Sequence, residues 1–210
     1  MKRVGCFLVC AWLTGVAFAE ERGLFPARFD VIGVDAADVL NIRRGPGTEH
    51  AIIGALGPQA RDIEVVGLGP RGKWAHIATG EGGGWVSARH LRRQGDVGGG
   101  QLPYPLVCTG AEPFWALEFG DDGRAFFSAP DIPGEFFMPN WAGSAEGLPP
   151  QEFALVLQGK GSRATAMISR TECSDGMSDR PYGLAIRLLI GLDGNRCFFM
   201  GCCRLEPRPG

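Results

Sequence analysis

The amino-acid sequence predicts an all-β protein built from two small units. Glycine accounts for 33 of the 210 residues, roughly twice the ~7% of average proteins, so the chain is expected to turn often. Its short apolar runs are separated by turn sequences rich in glycine and aspartate. No stretch shows the sustained 3.6-residue periodicity of a long helix. We therefore expect antiparallel sheets in both units.

The first 19 residues are typical of a secretory signal peptide. Lys2 and Arg3 form the basic end, residues 4–16 the apolar run, and Ala-Phe-Ala at residues 17–19 the cleavage site. The apolar run is shorter than the ~20 residues that span a bilayer. We expect the signal to be cleaved, giving a periplasmic or secreted protein with no integral membrane segment.

The charge balance argues against nucleic acid as a partner. The chain has 21 basic and 23 acidic residues, and loss of Lys2 and Arg3 with the signal makes the mature protein more acidic still. Phosphate backbones are bound by a basic face, and no basic tract is present. Nothing in the composition implies a cofactor.

The first unit is predicted over residues 29–93, after an unpaired leader over residues 20–28. Leu40 and Ile42 alternate with polar neighbours, as in a half-buried strand, and Gly45-Pro46-Gly47 then turns the chain. Strands are expected near residues 31–34, 39–43, 51–56, 62–68, 73–78 and 84–87.

Three segments of this unit, Asp38–Thr48, Gly72–Ile77 and Gly84–Leu91, resemble a bacterial SH3 domain. These domains are small β-barrels that tether extracytoplasmic proteins, so the resemblance implies binding to peptidoglycan or another envelope component. Trp74 and Trp85 are the candidate binding residues, because an indole offers both contact area and a hydrogen-bond donor. The alternative is that both indoles pack in the core.

The second unit is predicted over residues 106–206, after a glycine- and proline-rich linker over residues 94–105. Three hairpins are expected in an antiparallel meander or small barrel. Their strands are residues 114–119 with 124–127, 153–157 with 164–169, and 183–190 with 197–205.

The second unit resembles a family of envelope proteins of unknown function. The motifs are Gly110-Ala-Glu-Pro-Phe-Trp115, Cys173-Ser-Asp-Gly-Met-Ser-Asp-Arg180 with Tyr182, and Gly201-Cys-Cys203. The unit is also similar, more loosely, to the periplasmic inhibitors of C-type lysozyme, which are small disulfide-linked β-barrels. That second likeness implies an inhibitor or sensor role.

Five cysteines follow the signal peptide, and disulfides are the expected state in an exported protein. Cys202 and Cys203 are neighbours on a predicted strand, so their side chains point to opposite faces and need different partners. We predict a Cys173–Cys202 bridge and a second bridge from Cys108 to Cys203 or Cys197.

Neither a metal site nor a cysteine nucleophile is predicted. A zinc site would need the usual Cys-x2-Cys spacing, which is absent. The segment Met200–Leu205 is similar to the Ser-His-Gly-Cys-x-Arg motif of L,D-transpeptidases, but Met200 replaces the histidine that activates the thiol. The three histidines all lie in the first unit. We therefore expect a protein that is not an enzyme.

A polar loop after Cys173 and a carboxylate near residue 112 complete the candidate sites. Asp175, Ser178, Asp179 and Arg180 lie in one loop, and paired carboxylates can perform acid–base chemistry. Aspartate and serine also satisfy backbone groups in turns, which is the favoured interpretation. Glu112 is a candidate ligand contact, or else an acceptor for backbone amides at a strand start.

These observations favour an exported, non-enzymatic binding protein tethered through its SH3-like module. One alternative is an accessory cell-wall hydrolase that uses Asp175 and Asp179, which requires two carboxylates converging in an open groove. The other is a lysozyme inhibitor, which requires the region from Ser178 to Tyr182 to protrude as an inserting loop.

Overall fold

The computed structural model describes residues 24–80, 82–95, 101–130, 132–146, 150–192 and 194–208. It is all-β, as predicted, with a seven-stranded sheet in the N-terminal half and a closed eight-stranded barrel in the C-terminal half. The predicted signal peptide lies outside the described residues. In the part of the chain that is described, no helix has the length and apolar character needed to cross a membrane.

The N-terminal sheet is antiparallel throughout, in the order β3-β2-β6-β5-β4-β1-β7. Its small core contains apolar side chains such as Ile42, Val65, Ile77 and Val86. The strands are β1 (Ala27–Val31), β2 (Leu40–Arg43), β3 (Ile52–Leu56), β4 (Ile63–Leu68), β5 (Trp74–Thr79), β6 (Gly82–Ser87) and β7 (Leu91–Arg93).

The first strand differs from its prediction. It spans Ala27–Val31 rather than residues 31–34, and it begins inside the segment predicted as an unpaired leader. Apolar residues alternate with Arg28 and Asp30 along the observed strand, and Arg28 is buried, with 4% of its surface exposed. The last strand, β7, was not predicted; it pairs with β1.

The C-terminal barrel is an antiparallel meander in which each strand pairs with the next and β15 pairs with β8 to close the circle. The strands are β8 (Leu106–Ala111), β9 (Phe114–Phe119), β10 (Ala125–Ala129), β11 (Ile132–Ser144), β12 (Glu152–Gln158), β13 (Arg163–Cys173), β14 (Tyr182–Leu192) and β15 (Asn195–Leu205).

All three predicted hairpins are present, as β9–β10, β12–β13 and β14–β15. The long strand β11 was not predicted, because Pro133, Gly134 and Pro139 interrupt its sequence. The structure accommodates Pro139 at an irregularity in the pairing with β12, between Pro139 and Trp141. A bulge of this kind lets proline remain in a strand without losing the ladder on both sides.

The barrel interior is filled with side chains, including the fully buried Phe127, Phe137, Leu155 and Ile186. Inward and outward residues alternate clearly along β9 and β12, as expected for a small closed barrel. Outward side chains such as Trp141, Leu189 and Phe198 are exposed rather than part of this core.

Two disulfides brace the barrel, and both match the prediction. Cys108–Cys203 joins β8 to β15 at the closing seam, where the two residues are directly paired. Cys173–Cys202 joins the end of β13 to β15. Cys203 belongs to the interior core cluster and Cys197 carries a free thiol. Disulfides of this kind are typical of proteins that fold in an oxidising compartment.

Buried polar contacts join the two sheets. The Arg28 guanidinium donates to the carbonyl oxygens of residues 103, 104, 105 and 206. Glu64, on β4, forms an ion pair of 2.7 Å with Arg180 and accepts a hydrogen bond from the Leu205 amide. The described residues at the end of the predicted linker are packed, with Leu102 in the barrel core.

Candidate functional site

The largest concave surface of the N-terminal sheet surrounds Trp74. This opening, which we call the Trp74 cleft, has a volume of 770 Å³. Strand β2 forms one wall, the start of β5 another, and the short 3₁₀ turn Ala88–His90 a third. Its polar and aromatic lining consists of Asn41, Arg43, Thr48, Lys73, Trp74, Ser87, Arg89 and His90.

Backbone hydrogen bonds fix the geometry of the cleft. Arg43 donates from one guanidinium nitrogen to the carbonyl oxygens of Thr48 (2.9 Å) and His50 (2.8 Å). These two hydrogen bonds tie the end of β2 to the segment that follows the Gly45–Gly47 turn. On the opposite wall, the Ala88 amide donates to the Lys73 carbonyl at 3.0 Å, which places the 3₁₀ turn beside Trp74.

The cleft is positively charged. Arg43, Lys73 and Arg89 all contribute cations, while no carboxylate occurs among the described residues that line it. Arg89 donates to the imidazole of His90 at 2.9 Å, and none of these three cations forms an ion pair within the described part of the chain. A cationic cleft with an indole in its wall suits an anionic ligand that also offers a flat or apolar surface.

Trp85 lies in a different place from Trp74. Its ring stacks on that of His76, with centroids 4.5 Å apart and planes 7° apart. Both rings border a 540 Å³ cleft between the sheet and the barrel, together with Glu172 and Tyr182. Burial lowers the pKa of His76, and the Glu172 carboxylate opposes that change. The two predicted tryptophans therefore do not form one site.

The Asp175 carboxylate organises its own loop. It accepts hydrogen bonds from the amides of Met177 and Ser178, from the Ser178 hydroxyl and from the Tyr182 hydroxyl. Desolvation opposes ionisation, but these hydrogen bonds outweigh it and lower the pKa of Asp175 to about 2. The positive φ of Gly176 (71°) allows the tight turn that brings the amides together.

The remaining loop residues do not join Asp175 in a reactive group. Asp179 is exposed, whereas the Arg180 side chain turns to Glu64 and to the Gly80 carbonyl on the N-terminal sheet. The guanidinium also lies 5.6 Å from the Tyr182 ring centroid. The loop thus serves as a structural link, and its two carboxylates do not converge.

Glu112 lies in the exposed turn between β8 and β9. The backbone-capping role expected for it is not seen, since no hydrogen bond to its carboxylate occurs among the described residues. It borders a 470 Å³ groove that also contains Asp175, Met177 and the Cys173–Cys202 bridge. The nearby Trp115 is buried against Phe127 and Phe199.

Lys73 and Arg89 are the site residues that sequence reasoning missed. Lys73 directly precedes Trp74, and Arg89 lies within the segment Gly84–Leu91 that resembles part of a bacterial SH3 domain. Lys73 immediately precedes β5, and strand alternation alone does not indicate that it lines the cleft together with Trp74. In the described residues, no group of three or more His, Cys, Asp or Glu could hold a metal.

Comparisons with protein-family models, with curated proteins and with solved structures find no match for this chain.

Proposed function

We propose that this chain is an exported, non-enzymatic binding protein whose N-terminal sheet is an SH3-like module that holds carboxylate-bearing peptide of the cell wall. Such a protein acts in the periplasm or outside the cell. The presence of two disulfides supports that location.

The observation that carries this proposal is the composition of the Trp74 cleft. Wall peptides present free carboxylates on a short backbone, and Arg43, Lys73 and Arg89 supply cations without a competing carboxylate among the described lining residues. Trp74 has no aromatic partner among the described residues, so its ring is available to pack on a ligand. Charge-assisted hydrogen bonds give such a site its selectivity for carboxylates.

The hydrolase alternative receives no support from the geometry. An acid–base pair needs two carboxylates that face one substrate, and Asp175 is instead turned onto backbone amides while Asp179 is exposed. The inhibitor alternative needs a protruding loop that ends at Tyr182. Tyr182 is buried, with 6% of its surface exposed, and Arg180 is held by Glu64.

The test is co-sedimentation of the purified mature protein with insoluble peptidoglycan. We expect the double variant Lys73→Glu with Arg89→Glu to reduce the bound fraction at least tenfold, because it reverses two of the three positive charges that line the cleft. Arg61→Glu is the matched control, since Arg61 is exposed in the loop before β4 and lies outside the cleft. Equal retention of the double variant and the wild type would refute the assignment of the cleft.

A further inference from the structure

The outer surface of the barrel carries an apolar row that crosses five neighbouring strands. The register places its members directly opposite one another from β11 to β15. Trp141, Leu189 and Phe198 expose 54%, 47% and 61% of their surfaces. In order across the strands, the row is Trp141, Val156, Thr165, Leu189 and Phe198.

Arginines flank this row on both sides. One neighbouring row contains Met167, Arg187 and Met200, and the other contains Arg163 and Arg196 with Gly191 between them. We call these three rows the outer face. None of its described residues is acidic, and none of its three arginines forms an ion pair within the described part of the chain.

A polar cleft opens at the edge of the outer face. Gly191 has no side chain, so a gap remains between the stems of Arg163 and Arg196, and the resulting opening has a volume of 550 Å³. Asn195 adds a neutral amide to its lining. Gln158 and Ser162 also line it, but the Gln158 amide donates to the carbonyls of Gly159 and Ser162, and the Ser162 hydroxyl donates to the Glu135 carboxylate. The Arg163 guanidinium donates to the Gln158 side chain at 3.3 Å, which leaves its charge uncompensated. This arrangement suits a phosphate-sized anion beside an apolar surface.

We propose that the outer face is a docking surface for an anionic lipid bilayer, with a lipid phosphate between Arg163 and Arg196. Trp141, Leu189 and Phe198 would then enter the boundary between headgroups and acyl chains. Tryptophan and arginine side by side are typical of membrane–water interfaces. A protein segment is a poorer fit, because strand addition needs a free sheet edge and helix docking needs an apolar groove, whereas this face belongs to a closed barrel.

The test is sedimentation of the mature, oxidised protein with vesicles of phosphatidylcholine alone or mixed with phosphatidylglycerol. We expect binding to the mixed vesicles that weakens as salt rises, and little binding to neutral ones. An arginine near an anionic surface strengthens binding about fivefold, so Arg163→Glu with Arg196→Glu should weaken it by about 25-fold or more. Arg61→Glu, in the N-terminal half, should leave vesicle binding unchanged.

A matched pair of variants tests how much the exposed apolar side chains contribute to vesicle binding. Phe198→Ser should weaken vesicle binding, whereas Phe114→Ser should not, since Phe114 is equally exposed (59%) but lies on β9, outside the outer face. Anionic vesicles should also shift the tryptophan emission of the protein to shorter wavelength, and Trp141→Phe should remove that shift while the protein stays folded.

Three results would overturn the proposal: no binding to anionic vesicles, equal binding by the arginine variants, or retention on immobilised polyglutamate without vesicle binding. The last would assign the outer face to an acidic protein. Inorganic phosphate should weaken vesicle binding no more than sodium chloride of the same ionic strength does, because it offers no apolar surface. Peptidoglycan retention should be unaffected by the outer-face variants, so this proposal and the cleft assignment can fail separately.

Discussion

The buried ion pair between Glu64 and Arg180 should be critical for holding the two sheets together. The two side chains come from opposite units, their nearest nitrogen and oxygen are 2.7 Å apart, and only 4% and 12% of the side-chain surfaces are exposed. Burial raises the pKa of Glu64, and the facing Arg180 charge opposes that rise. We predict that Glu64→Gln or Arg180→Met strongly destabilises the protein.

The magnitude follows from two opposing contributions. At an effective dielectric constant of about 20, the Coulomb attraction at this distance is about 6 kcal/mol. Removing two charges from water costs several kcal/mol for each, so the intact pair contributes little net stability. Loss of one partner leaves the other charge buried without compensation, which costs about 3–5 kcal/mol.

The assay is urea-induced unfolding of the mature, oxidised protein, followed by fluorescence and circular dichroism. The double variant should be less destabilised than the sum of the single variants, with a coupling of at least about 1 kcal/mol. Arg124→Gln provides the control, because the Arg124–Asp122 pair has a similar distance of 2.6 Å but is exposed, so its loss should matter far less. Single substitutions that each cost under ~1 kcal/mol and add without coupling would refute the reasoning.

Three further predictions concern the loop, the disulfides and the junction. The pKa of Asp175 is lowered from 3.8 to about 2, so its stabilisation is present above pH 4 and is lost as the pH falls toward 2; the protection factor of the Met177 amide, measured against its intrinsic exchange rate at each pH, should fall over that range, and Asp175→Asn should abolish that pH dependence. Removing Cys108–Cys203, which spans 95 residues, should cost about 1 kcal/mol more than removing Cys173–Cys202, which spans 29; calorimetry of the paired alanine variants measures this, with Cys197→Ser as a control that should be nearly neutral. Arg28→Met should lower the melting temperature by more than Arg61→Met, because it leaves four carbonyl oxygens without their donor, and a similar shift for both would contradict that role.

Local sequence signals predicted much of the barrel. The turn sequence Gly120-Asp-Asp-Gly123 indicates the β9–β10 hairpin, which the structure contains. The alternation of faces along β15 correctly assigned Cys202 and Cys203 to different partners. These successes share a cause: turn chemistry and strand periodicity are properties of short segments.

The failures involve residues far apart in the chain. The pairing of Arg180 with Glu64 joins positions 116 residues apart, and Arg28 is buried by carbonyl groups from residues 103–105 and 206. Nothing local to Arg28 indicates that a charged residue faces inward there. The register of the β5–β6 hairpin pairs Trp85 with His76 and Trp74 with Ser87, but the cleft that Trp85 borders also includes barrel residues, which no short motif specifies.

The five hydrogen bonds of Arg28 have a consequence for the continuity of the chain. The acceptors are the carbonyl oxygens of residues 103–105, just before β8, and of residue 206, just after β15. One side chain therefore attaches both ends of the barrel to the N-terminal sheet. The peptide segment between Gly95 and Gln101 is then not what keeps the halves together. A protease that cuts there should leave a nicked protein whose two fragments stay associated through these contacts.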